Sequence, residues 1–299
     1  MAQLPSEPVG ISPRVDCVFR ALMGDAEHVE RLVHFLNAVV QRPSPIVEVT
    51  IRNPIQPSDF VDDGHIVVDV IAKDAAGEVF QVDMQSWNHA ALKERMLYTW
   101  ATLYKAQLEK GDEYNELRPV VCVWVLDENA FRNAEGFHHR FRVRDDAGTL
   151  ELSSQFEVHV LELERWRNHP DSATAAALLG WMRFFTEAQG WRVVPPEIDN
   201  PILESAMAVL TDFQTNAARN DLYRSRLDFL RVQKTMVSSL EEALADKART
   251  AADLERALTE KEQAVARAEQ AVAEKEQAVA REERLKARLR ALGVDPDGG

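Results

Sequence analysis

Cysteine is nearly absent. Cys17 and Cys122 are the 2 cysteines in 299 residues, far apart and without Cys or His neighbours at metal-ligand spacing, which argues against a disulfide framework and a zinc site. Long apolar runs are missing too. The longest, Pro119 to Leu126, falls far short of the ~20 residues that cross a bilayer, and residues 1–16 hold no stretch resembling a signal peptide. The expectation is a cytoplasmic protein without a membrane span. Positive charge is in deficit: 35 Lys and Arg stand against 49 Asp and Glu, a net charge of -14. A protein so acidic cannot coat nucleic acid through a general field. Any DNA contact needs a local basic patch, with divalent metal cancelling the carboxylates.

What is present suits a folded globule, with 45% hydrophobic and 28% charged residues, enough for one sizeable core or two small ones. Residues 1–13 read as a loose leader. Apolar residues from Cys17 to Val39 recur at spacings of three and four, as in one or two amphipathic helices broken near Gly24. Ile46–Ile51 reads as a strand, Ile66–Ala72 as another, Asp74–Gly77 as a turn and Val79–Gln85 as the returning strand of a hairpin. Ala90–Lys110 reads as a helix closed by Gly111, and Pro119–Leu126 as a buried strand. Further strands are expected at Phe137–Val143 and Phe156–Leu163, and helices at Ser172–Ala188 and Asn200–Met236. The order defines an α/β fold with a mixed sheet. From Leu240 a seven-residue period sets in. Leu244, Ala251, Leu258, Val265, Val272 and Val279 share one heptad position, while Lys247, Lys261 and Lys275 interrupt its partner position. That pattern fits either a weak coiled coil over 240–292 or a lone solvated helix, followed by a flexible tail over 293–299.

The hairpin carries the chemistry. Asp69 interrupts an otherwise apolar strand, where an unpaired carboxylate is costly. Asp83 and Gln85, two apart, share one face of the returning strand, and a turn near Ala75 brings Asp69 close to opposite Asp83, ~5 Å across the ladder. Converging carboxylates repel unless a cation or proton lies between them, and Mg²⁺ takes such a minimal oxygen cradle. The alternative is two acids on the polar face of a two-layer sheet.

These residues resemble the signature of the PD-(D/E)XK nuclease family transposases, also described as recombination-promoting nucleases. The resemblance runs from about Ser12 to Ala245, through Asp16-Cys17-Val18-Phe19-Arg20, Phe35-Leu36-Asn37, Arg95-Met96-Leu97-Tyr98, Pro119-Val120-Val121, His159-Val160-Leu161-Glu162-Leu163 and Tyr223-Arg224-Ser225-Arg226. It implies a restriction-endonuclease-like mixed sheet flanked by helices over 14–239. It also implies Mg²⁺- or Mn²⁺-dependent DNA cleavage and a link to recombination. By that resemblance Asp69 and Asp83 become metal ligands, with the Met84 main-chain carbonyl beside them. Gln85 takes the position of the signature lysine and Asp16 supports the site from the first helix. Arg95 and Tyr98, three apart near the start of one helix, share a face and with His65 are candidate DNA contacts. This chain has Asp83 where the family usually has Glu, one methylene shorter. His65 stands where a lysine is common, and Gln85 brings no positive charge.

Other residues allow two readings. Arg95 can hold a phosphate or pair with Glu94 or Asp83. Asn88 and His89 read as capping residues. Arg140, Arg142 and Arg144 form either a phosphate-tracking strand or a charged edge strand. The six tryptophans read as core. Two functions compete: an active endonuclease that dimerises through its tail, and a catalytically silent protein of the same fold that assembles through that tail.

Overall fold

The computed structural model describes residues 10–52, 70–86, 91–170, 174–198 and 200–291. A 6-stranded sheet runs in the order β1-β2-β3-β4-β6-β5, with β1 Val49–Arg52, β2 Val70–Asp74, β3 Val79–Gln85, β4 Val120–Leu126, β5 His138–Phe141 and β6 Phe156–Glu162. β3, β4 and β6 are parallel, and the other pairings are antiparallel. The sheet is therefore mixed. Its helices are α1 Asp16–Met23, α2 Glu30–Val40, α3 Leu92–Lys105, α4 Leu163–Asn168, α5 Ala176–Glu187, α6 Pro201–Thr215 and α7 Ala217–Ala291.

Every residue of β4 is buried, as a continuous apolar strand must be when both faces are covered. On one face Leu92, Met96 and Leu103 of α3 pack on Ile71, Val79, Val120, Cys122, Trp124, Val158 and Val160. On the other, Val82 and Met84 lie under the helical layer of α1, α2, α5 and α6, knit by Phe19, Phe35, Trp181 and Phe185. The described tryptophans are buried or partly buried, in keeping with their reading as core. The hairpin turn closes on Gly77, whose φ of 87° favours glycine.

Several element boundaries differ from the sequence expectation, each for a local reason. β1 starts at Val49 rather than Ile46 because the Asn37 amide exchanges two hydrogen bonds of 2.8 Å with the backbone of Ile46. α3 stops at Lys105, beyond which Gln107 binds both backbone groups of Arg118 at 3.0 Å. The helix expected over Asn200–Met236 is two helices. Asn216 is extended and its side chain accepts from the Arg219 N–H at 3.3 Å, which caps α7. Of the leader, Ile11 and Ser12 are buried, and the Ser12 N–H donates to the Tyr223 hydroxyl at 3.0 Å.

The chain divides into two compact units between Asp228 and Phe229. The described residues of the second are the remainder of α7, where Leu244, Leu258, Val265, Val272 and Val279 are each at least 50% exposed. No helix among the described residues is long and apolar enough to cross a membrane.

Candidate active site

Alternation along β3 points Gln81, Asp83 and Gln85 to the α3 face. Asp83 is 1% exposed. A buried carboxylate needs compensation, and two groups supply it. The Gln85 amide nitrogen donates to Asp83 Oδ1. Arg95, near the start of α3, donates from Nη1 to Gln85 Oε1 at 3.2 Å, and its Nη2 lies 3.7 Å from Asp83 Oδ2. The same guanidinium covers the Trp124 ring at 5.5 Å, a cation–π contact that keeps it over the sheet. Arg95 thus pairs with Asp83.

A second group gathers where β3 and β4 end. Arg14 Nη1 donates to both oxygens of Asp127 at 2.6 and 2.7 Å. Arg167 of α4 donates to Asp127 Oδ1 at 2.8 Å and to its carbonyl at 3.1 Å. The Asp127 N–H donates to the Gln85 carbonyl at 2.9 Å, which ties this group to the strand of Asp83. Next to it Glu162, fully buried at the end of β6, accepts from the N–H groups of Ala130 and Phe131 at 2.7 and 2.9 Å and from Arg165 Nε at 2.6 Å. It anchors the loop after β4.

The opposite end of the strands holds a different cluster. His159 Nε2 donates to Glu157 Oε1 at 2.7 Å, so His159 Nδ1 is left to accept from His138 Nε2 at 2.8 Å. Glu157 also faces Arg140 at 2.5 Å and Arg42 and Arg142 at 3.6 Å. Burial opposes its charge, but the His159 hydrogen bond and the neighbouring guanidiniums prevail and hold its pKa at about 2. Burial lowers His138 to about 4, helped by the nearby His159, His139 and Arg140. Arg142 and Arg144 pair with Glu151 at 3.4 and 3.1 Å. The basic stretch is thus spent on ion pairs at a sheet edge, as in the charged-edge reading.

The remaining expected site residues are spread. Asp16 binds Arg226 of α7 through both oxygens, at 2.8 and 2.5 Å. Tyr98 is 48% exposed on α3. Met84 is buried between Asp83 and Gln85, with its side chain on the other sheet face. Asp69, His65, Asn88 and His89 lie outside the described residues. Among the described residues no group of three or more His, Cys, Asp or Glu could hold a metal. Sequence reasoning missed Arg14, Asp127, Arg167 and Glu157. One signal was available: Asp127 is the first polar residue after the apolar run 119–126, and so stands at the carboxyl end of a buried strand.

A mixed sheet with an acid and an amide alternating on its central hairpin, met by an arginine from the following helix, defines a nuclease-type α/β core. The chain belongs to the PD-(D/E)XK nuclease family transposases, whose family model matches residues 13–240. No curated protein and no solved structure matches it.

Proposed function

We propose that the protein is a cytoplasmic, metal-dependent endonuclease that hydrolyses phosphodiester bonds of DNA in recombination-linked processes, with Asp69 and Asp83 as its acidic pair. The observation that carries this reading is the buried Asp83 carboxylate, kept charged-compatible by Gln85 and Arg95 in a chain of the nuclease family. Asp69 is taken as the partner from the family resemblance. Val70 pairs with Val82 and Ile71 with Gln81, which is the hairpin that the sequence reading of the pair requires.

A hard divalent cation such as Mg²⁺ or Mn²⁺ suits oxygen donors, and the Asp83 carboxylate with its adjoining strand carbonyls is such a set. Asp69, Asp83 and the Met84 carbonyl would hold the ion. When bound, it would supply positive charge that polarises the phosphodiester and acidifies water. Gln85 has no charge to add and orients through its amide alone. Arg95 is the cation beside the acid, and it takes the electrostatic share that a signature lysine would have. The heptad helix supports a moderately weak homodimer, which gives two active sites for two strands.

One observation favours the silent reading: both Gln85 and Arg95 already engage Asp83. Supercoiled plasmid with Mg²⁺ or Mn²⁺ separates the two. Conversion to open-circular or linear DNA by the natural chain, lost in Asp69→Ala and Asp83→Asn, supports the nuclease. Equal conversion by all three proteins, or none by any, sinks it.

A further inference from the structure

A protein with a net charge of -14 needs a local seat for phosphate if it holds DNA. Its arginine clusters differ in what they already hold. At the amino ends of the parallel strands, Arg42, Arg140 and Arg142 share a cavity of about 650 Å³ with Asp74, Glu78 and Glu157. Cations and carboxylates are matched there, and little is left for a ligand of either sign.

At the carboxyl ends the balance shifts, because Arg14 and Arg167 share the single carboxylate of Asp127. Three chain segments converge on this point: the turn before α1, the end of β4, and α4. Arg14 and Asp127 side chains are each 23% exposed and Arg167 36%, so both arginines are held in place yet keep part of their surface in water. Each carries five N–H donors, of which one carboxylate satisfies a part. Arg14 Nε is buried and has no acceptor among the described residues. A planar guanidinium matches phosphate oxygens in a fork, and side chains already held in place lose less entropy on binding. The cluster also adjoins the reacting end of β3 through the Asp127 to Gln85 hydrogen bond of 2.9 Å and the bond from Ser86 Oγ to the Arg14 carbonyl at 3.4 Å.

We propose that Arg14 and Arg167, aligned by Asp127, form a seat for the phosphodiester backbone of DNA at the carboxyl end of the Asp83 strand. The ligand class rests on the nuclease reading, whereas the seat rests on the geometry of these three residues. They are positioning residues: phosphate contacts set register and carry no sequence information.

The test is binding of a fluorescein-labelled duplex to the full-length protein, by anisotropy across a salt series, with Ca²⁺ in place of Mg²⁺ to withhold cleavage. Arg14→Gln and Arg167→Gln should each weaken binding and flatten the slope of log affinity against log salt by about 0.9, the loss of one phosphate contact. Arg167→Lys should restore the slope, because charge rather than packing is at issue. Arg183→Gln, which breaks the α5 pairs with Glu187 and Glu197, should leave the slope unchanged. Melting curves verify folding, and if Arg14→Gln does not fold, the Arg167 pair carries the test. Natural protein that binds while Arg14→Gln and Arg167→Gln keep its slope overturns the seat alone. Natural protein that binds no duplex at any salt overturns the nuclease reading and the seat with it.

Discussion

The two ends of β3, β4 and β6 are both lined with arginines and carboxylates, yet they are built for different ends. At the amino end Glu157 is 4% exposed and receives His159, Arg140, Arg142 and Arg42. At the carboxyl end Asp127 holds two arginines that remain partly open to solvent. The first cluster is built on a buried carboxylate, matched in charge and joined to the edge strand β5, so its electrostatic energy goes into cohesion. The second sets two guanidiniums on one partly exposed carboxylate at the end of the Asp83 strand, which leaves donors over for a ligand. Arginine content alone would rank the first as the nucleic-acid surface. Accounting for what each guanidinium already holds reverses the order.

The largest expected effect is therefore at the amino end. Glu157→Gln removes the carboxylate on which three guanidiniums converge and should cost about 3–5 kcal/mol in urea unfolding, the usual penalty for breaking a buried ion pair. Asp127→Asn, at a partly exposed pair, should cost about 1 kcal/mol or less. Equal losses in the two variants would break the comparison and make Asp127 a structural residue.

Acid should sharpen the same contrast. His138 titrates near 4 in the fold, below its unfolded value near 6.5. The unfolded chain therefore binds the proton first, and stability is full above about 6.5 and falls as the pH drops from there toward 4. Glu157, held at about 2, adds stability present above its ordinary value of 4.5 and lost as the pH falls toward 2. The charged groups facing this pair, Arg42, Arg140 and Arg142, do not titrate in that range. Urea midpoints from pH 8 to pH 4 should fall in the natural chain. The step below 6.5 should shrink in His138→Gln; a step of unchanged size would assign the acid sensitivity elsewhere.

Much of this architecture is legible in the sequence, and the failures have physical causes. The hairpin with Asp83 and Gln85 on one face followed from strict alternation, and the buried β4 from an apolar run with no polar interruption. The sequence offers Arg95 two partners because a helix residue's reach depends on how the helix sits; in the structure its guanidinium lies over the Trp124 ring. The Arg14 to Asp127 and Glu157 to Arg42 contacts join segments more than a hundred residues apart in sequence, which no local pattern encodes. Element ends depart from the periodicity where one side chain, Asn37, Gln107 or Asn216, bonds the backbone and stops a strand or helix that the pattern would continue.

Between the two ends, Gln81 lies midway along β3 on the same face as Asp83. It is fully buried, and neither polar atom of its amide has a hydrogen-bond partner among the described residues. An amide in that condition forfeits its hydration without recompense, at roughly 1–3 kcal/mol. Gln81→Leu, close in volume, should therefore raise the urea midpoint while Glu157→Gln lowers it. A destabilised Gln81→Leu would mean that the amide is held by ordered water and belongs to the polar system around Asp83.

The smallest change in stability is expected from the tail. Along the second unit Leu244, Leu258, Val265, Val272 and Val279 keep half or more of their surface in water, and the helix is supported locally by alanine and by pairs such as Lys286 with Glu282 at 3.0 Å. A stripe one or two residues wide can bury itself against a second copy, but Lys247, Lys261 and Lys275 at the alternate seam position must extend their ammonium ends to solvent and weaken the pairing. Deleting residues 240–292 should accordingly leave both clusters of the sheet intact, with the urea midpoint little changed. In sedimentation, the intact chain should show a concentration-dependent dimer and the truncated chain a smaller species. If both forms sediment with the same oligomeric state, the heptads make only a solvated helix, and any pairing of active sites must come from another surface.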